Sequence, residues 1–214
     1  LVQSIKTDRL PATKVVLYPD GDRFAVVNTD GDTFHLSVWN WRTGERQFMR
    51  ILEDQVFHLG ISPQGTYLVY TLPSLQSVRI LAADSGRELP FMRESTGIVT
   101  WTVVSNSEDR ILTYVPATGT LTYRRIVTGS VLAEFTGPAD LDRIVLDGSR
   151  RYVAARTKRN RVVVVDLLSG EEVARSSSGA IKDIVRDPVS NEFIVLLENI
   201  DGRLDWRRYQ FDQN

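Results

Sequence analysis

The sequence has no cysteine among its 214 residues, so disulfide bonds and thiolate metal sites are excluded. It has only two histidines, His35 and His58, and the repeats described below place them on different strands, so we expect no histidine metal cage. The 26 basic and 27 acidic residues leave a formal net charge of -1. Nucleic acid is therefore not an expected partner. No apolar run approaches the roughly 18 to 20 residues of a membrane-spanning helix, so membrane insertion is not expected either.

Motifs of several enzyme classes are also missing. The sequence contains no Gly-x-Ser-x-Gly nucleophile elbow and no glycine-rich phosphate loop. Residues Asn28–Asp32 begin like a calcium loop, but no glutamate follows at the position that would complete the ligand set. We therefore expect no cofactor and no bound metal ion, and we favour a protein without catalytic activity.

A four-stranded unit recurs along the chain with a period of about 42 residues. An apolar strand ends in a turn such as YPDG at 18–21, a second apolar strand follows at once, and a third ends in a Thr-Gly or Ser-Gly turn. The second strands, which are short and rich in β-branched residues, are predicted at Asp22–Asn28, Thr66–Leu72, Arg110–Val115, Arg150–Arg156 and Glu192–Glu198. Fourth strands are predicted at Arg46–Ile51, Leu89–Arg93, Leu132–Phe135 and Glu172–Ser176.

This period matches the four-stranded blades of a β-propeller, which contain about 40 to 45 residues each. The sequence thus predicts an all-β protein, a single propeller domain over residues 1–214 with about five four-stranded blades. The last copy lacks a fourth strand, and a strand predicted at 2–7 would complete it and close the ring. A fragment of a larger ring is the alternative. The predicted repeats cover 13–54, 55–96, 97–139, 140–179 and 180–214, the last completed by 2–7.

One third strand carries the sequence of a known repeat family. Residues Val38, Trp39 and Asn40 stand where WD repeats carry Trp-Asp, and Asp166 keeps the acid of that pair in the fourth copy. With its turns of the Ser-Pro-Asp-Gly type, the chain resembles the WD-repeat superfamily and its YVTN-like relatives over nearly its whole length. The resemblance implies a β-propeller with degenerate repeats, and a propeller does not by itself imply one function.

The first strands of the five copies, aligned on their closing turns, share one column of chemically diverse residues. The column lies four residues before each turn, where most of these strands change from polar to apolar. Because first strands surround the axis of a propeller, we expect the column to ring one mouth of the central channel. An aromatic anchor with charges of both signs is typical of recognition surfaces, although strand ends are also polar simply because water reaches them. The candidate binding residues are Lys14, His58, Trp101, Arg143 and Asp183.

These residues lead to the hypothesis of a non-catalytic scaffold that binds a protein or peptide partner across the channel mouth. A glycoside hydrolase is the enzymatic alternative, because some five-bladed propellers are glycosidases and the first strands here carry Asp142 and Asp183. A propeller that binds a glycan or another small ligand is the third hypothesis. A secondary basic patch is predicted in a loop of the fourth copy, where it would anchor an acidic partner or phosphate group. Its residues are Arg156, Lys158, Arg159 and Arg161.

Overall fold

The strands of this protein form a series of small antiparallel sheets. The computed structural model describes residues 10–90, 97–137, 139–147, 151–159, 161–167, 169–176, 180–187, 190, 192–198 and 201–209. Within these ranges the chain forms eighteen β-strands in five sheets. The same ranges contain no helix that could span a membrane. In each sheet, strands that follow one another in sequence are hydrogen-bonded neighbours.

The strands are numbered in chain order. Sheet 1 contains β1 (Ala12–Leu17), β2 (Arg23–Asp30), β3 (Thr33–Asn40) and β4 (Arg46–Leu52). Sheet 2 contains β5 (His58–Ile61), β6 (Tyr67–Leu72) and β7 (Ser77–Ala82). Sheet 3 contains β8 (Trp101–Val104), β9 (Arg110–Val115), β10 (Thr120–Arg125) and β11 (Val131–Thr136). Sheet 4 contains β12 (Leu141–Leu146), β13 (Tyr152–Thr157), β14 (Val162–Asp166) and β15 (Glu172–Ser176). Sheet 5 contains β16 (Ala180–Arg186), β17 (Phe193–Glu198) and β18 (Leu204–Tyr209).

A separate apolar cluster fills the space between each pair of successive sheets. Because side chains alternate between the two faces of a strand, one sheet supplies apolar groups to both of its neighbours. Leu36 and Leu68 are fully buried between sheets 1 and 2, and Phe193 is buried between sheets 4 and 5. The first strands β1, β5, β8, β12 and β16 contact one another in that order. The sheets are therefore arranged as the blades of a β-propeller.

The structure confirms the predicted all-β fold, and the second strands lie within about two residues of their predicted bounds. The predicted fourth strand Leu89–Arg93 is wrong at its start, because Leu89 and Pro90 are not in a strand. A single bridge joins Glu88 to Leu81, and Pro90 has no N–H with which to extend the ladder. Residues 91–93 and the predicted closing strand at 2–7 lie outside the described residues. The division into one closed domain stays a prediction.

The turns that follow the first strands of sheets 1, 2 and 3 share one backbone position with positive φ. Gly21 and Gly65 occupy it with φ values of 71° and 78°, in the left-handed region that favours glycine. Glu108 holds the equivalent position in sheet 3 with a φ of 56° and is buried. Its Oε1 accepts a hydrogen bond from the Gln64 backbone N at 2.6 Å. The carboxylate therefore links the first turns of sheets 2 and 3 at a position where the backbone is strained.

Candidate functional site

The five column residues lie at or near the start of the first strand in each sheet. Lys14 belongs to β1, His58 and Trp101 begin β5 and β8, and Arg143 and Asp183 belong to β12 and β16. The first strands contact one another in order, so these residues share one end of the sheets. We call them the mouth row. The turns after the first strands, including the one that contains Gly21, lie at the opposite end.

One half of the mouth row is built around two aromatic rings that lie against each other at a tilt. The centroids of the His58 and Trp101 rings are 5.2 Å apart, with an interplanar angle of 45°. Phe57 precedes His58, and the Lys14 Nζ lies 6.0 Å from the centroid of its ring. These contacts join sheets 1, 2 and 3.

Arg143 joins the other half of the row. Its guanidinium carbon lies 6.0 Å from the centroid of the Trp101 ring. Its Nε lies 3.3 Å from Asp183 Oδ1 and also faces the Ile184 carbonyl oxygen at 3.4 Å. Arg143, which belongs to sheet 4, thus contacts both sheet 3 and sheet 5. The structure brings all five column residues into one connected surface.

His58 carries no charge at neutral pH. Burial lowers the pKa of this imidazole to about 4, and the nearby Lys14 ammonium acts in the same direction. A hydrogen bond with the Thr102 backbone raises the pKa but is the weakest of the three influences. At pH 7 the formal charges of the mouth row therefore belong to Lys14, Arg143 and Asp183.

The low pKa of His58 predicts a loss of stability in mild acid. Between pH 6.5 and pH 4 the unfolded chain binds a proton at this histidine and the folded chain does not, so the free energy of unfolding falls as the pH is lowered through this window. We expect a loss of about 2 kcal/mol, less than the full shift implies because the side chain is partly exposed. Urea unfolding of the wild type and His58→Phe at several pH values measures it. If the free energy of unfolding changes with pH by the same amount in both proteins, the loss does not come from His58.

The two carboxylates of the glycosidase hypothesis each have an arginine partner. Asp142 Oδ1 and Oδ2 accept hydrogen bonds from Arg156 Nε and Nη2 at 2.8 and 3.0 Å. Asp183 pairs with Arg143. The loop position predicted for Arg156 is wrong, and its place in the predicted strand Arg150–Arg156 is confirmed. It belongs to β13, because β12 and β13 stay paired through Arg143 and Arg156 as far as Leu141 and Thr157.

The rest of the predicted basic patch does lie in the connection between β13 and β14. Lys158, Arg159 and Arg161 are exposed there, and Arg159 Nε lies 3.6 Å from Asp140 Oδ2. With Arg156 bound to Asp142, the patch is smaller than the sequence suggests. In the ranges given above, no group of three or more His, Asp or Glu side chains is arranged to hold a metal ion.

The described residues also line two cavities that the sequence did not predict, and Asp183 of the mouth row borders one of them. A cavity of about 520 Å³ opens between sheets 1 and 2 at the opposite end, beside Arg23, Gln64 and Arg87. A second, of about 260 Å³, lies against the outer face of sheet 5. The residues that line it are Asp183, Val185, Ile194, Leu196 and Trp206. Their alternate spacing on β16 and β17 was the available signal, but alternation alone does not show which face of a sheet lines a cavity.

Comparison with known proteins identifies the fold. A family model described as "N-terminal beta-propeller domain" matches residues 4–212. A protein of Treponema pallidum (strain Nichols), described as an uncharacterized protein, is 31% identical over 172 residues, which cover 77% of this chain and 25% of that protein. The chain therefore spans about a quarter of the length of this relative.

Solved structures with the same fold are distant in sequence. Hydrazine synthase of Kuenenia stuttgartiensis superposes with a TM-score of 0.66 at 16% identity, over 90% of this chain and 57% of that chain. The propeller domain of Myceliophteria thermophila Cps50 (Swd1) gives a TM-score of 0.68 at 17% identity, over 87% and 62%. The chain spans less than two thirds of either. At these identities the likeness shows the fold alone, which is a β-propeller.

Proposed function

We propose that this chain, which belongs to the N-terminal β-propeller domain family, is a non-catalytic platform. It binds a protein or peptide at the mouth row. The observation that carries the proposal is the connected surface formed by five side chains from five sheets. Side chains that are already held by one another lose little conformational entropy when a partner binds. Tryptophan and arginine are also the residue types that most often dominate binding energy.

The charge pattern supports binding over glycoside hydrolysis. A glycosidase needs one carboxylic acid that keeps its proton near neutral pH. Asp142 and Asp183 are each held in an ion pair, with Arg156 and Arg143, so neither carboxylate is free to act on a substrate while its pair is intact.

The opposite end of sheet 1 offers a matched control for a binding test. Arg42 lies over the Trp41 ring, at 4.7 Å from its centroid, and forms an ion pair with Asp22. Its contacts are of the same kind as those of Arg143, with a tryptophan and an aspartate, but they lie far from the mouth row. Replacement of either arginine by alanine removes one exposed or half-exposed guanidinium and leaves the apolar clusters intact.

We expect the double variant Lys14→Ala/Arg143→Ala to weaken partner binding about 10- to 100-fold. Arg42→Ala should bind as the wild type does, and all variants should unfold at nearly the same temperature. A partner is captured on the immobilised chain from extracts of its own cells and purified, and its Kd is measured by calorimetry for each variant. Unchanged Kd values in the double variant would remove the mouth row as the binding site.

A further inference from the structure

We infer that the partner of the mouth row presents a carboxylate next to an apolar side chain, with the carboxylate at Lys14 and the apolar group over Phe57. This inference rests on the proposed function and names the chemistry of the partner. The occupant is an acidic peptide segment that contains at least one aliphatic or aromatic residue.

The first argument is the balance of charge on the first strands at the mouth. The other charged residues that the first strands carry at this end form three ion pairs: Arg143 with Asp183, Asp142 with Arg156, and Lys182 with Glu198. Lys14 is exposed and has no carboxylate partner in the part of the chain that the structure describes. A positive charge without a counterion attracts a carboxylate and repels a second cation.

His58 adds no second positive charge beside Lys14 at pH 7. Its imidazole lies between the Lys14 end of the row and Trp101 and stays neutral at pH 7, since burial and Lys14 itself oppose its protonation. Arg143 at the other end is already matched by Asp183. The row therefore has a single unbalanced charge, at its sheet 1 end.

The second argument is the exposure of Phe57. Phe57 is 51% exposed to solvent. Its backbone is nevertheless held in place, because its N donates a hydrogen bond to the Thr71 carbonyl oxygen at 3.0 Å. Trp101 is different, because His58 and Arg143 already lie against it. The free aromatic surface thus lies beside the free cation, with 6.0 Å between the Lys14 Nζ and the centroid of the Phe57 ring. One short segment reaches both, and covering the ring removes apolar area from water.

The test uses a phage library of random dodecapeptides selected on the folded chain. We expect peptides selected on the wild type to be enriched in Asp or Glu next to an apolar residue. Selection on Lys14→Glu should favour Lys or Arg instead, and the wild-type peptides should bind this variant at least about tenfold more weakly. Selection on Lys14→Gln should favour neither acidic nor basic peptides. Lys158→Glu, which changes an exposed lysine in the loop between β13 and β14 at the same end, is the control and should select as the wild type does.

The outcomes separate the two proposals. Peptides that bind the wild type, lose affinity in Arg143→Ala and show no preference for acidic residues would overturn the inference and leave the binding platform standing. The same inversion of preference in Lys158→Glu as in Lys14→Glu would also overturn it, because any positive charge at this end would then suffice. A library that yields no peptide sensitive to Lys14 or Arg143 would count against both.

Discussion

Gly119→Ala is expected to lower the free energy of unfolding by about 3 kcal/mol, although it adds a single methyl group to a turn. Gly119 lies between β9 and β10 with a φ of 68°, a backbone conformation that costs an L-residue about 1 to 2 kcal/mol. A Cβ at this position would also lie 2.5 Å from the carbonyl oxygen of Gly137. That oxygen belongs to the backbone, and Gly137 N donates a hydrogen bond to the Gly119 carbonyl, so the two segments cannot separate without losing it.

Gly31→Ala is the matched control for this substitution. Gly31 occupies a turn between β2 and β3 with a φ of 60°, but nothing lies within 4 Å of the position of its Cβ. We expect a loss of about 1 kcal/mol from the backbone conformation alone. Urea unfolding of both variants measures the difference. Equal losses would show that the contact with Gly137 relaxes at no cost.

Arg79→Ala is expected to cost about 3 kcal/mol, because it removes a buried cation from between two carboxylates. Only 9% of the Arg79 side chain is exposed. Its Nη2 lies 2.9 Å from Glu53 Oε2, and its Nη1 lies 3.3 Å from Glu88 Oε1. Without Arg79, the charge of Glu88 is left with Arg50 alone, at 3.0 Å.

A second variant distinguishes the loss of the charge from the loss of volume. In Arg79→Met/Glu88→Gln the space stays filled and the partly buried carboxylate of Glu88 is removed as well. Only Glu53 then lacks its partner, and because its side chain is mostly exposed to water, the loss should be smaller than in Arg79→Ala. The exposed pair of Arg42 and Asp22 provides the comparison, and Arg42→Ala should cost less than about 1 kcal/mol. Chemical denaturation gives all three values. A larger loss in the double variant than in Arg79→Ala would contradict the explanation.

The strands were predictable because their signals are local. Alternating apolar residues and the turns after them lie within one hairpin, so β9, for example, has the predicted bounds Arg110–Val115. The column that contains His58 and Trp101 could be aligned for the same reason. Whether this column binds a partner stays a prediction, since neither alignment nor geometry shows an occupant.

Side-chain contacts between neighbouring strands and between sheets were not predictable from the sequence. Arg156 bonds to Asp142 only because β12 and β13 pair in one particular register, which the sequence does not specify. Glu108 is an intermediate case. Glu108 aligns with the turn glycines Gly21 and Gly65, which was a visible signal of an unusual backbone conformation. Its hydrogen bond with the Gln64 backbone could not be predicted, because Gln64 belongs to the neighbouring sheet.

The pairing order within the sheets has a consequence for biosynthesis. In the residues that the structure describes, each strand bonds only to strands adjacent in sequence, and the main contacts between sheets join successive sheets. No strand from a distant part of the chain must therefore arrive before one of these sheets can pair. Each sheet can therefore form as it leaves the ribosome, on an apolar surface that its predecessor already provides.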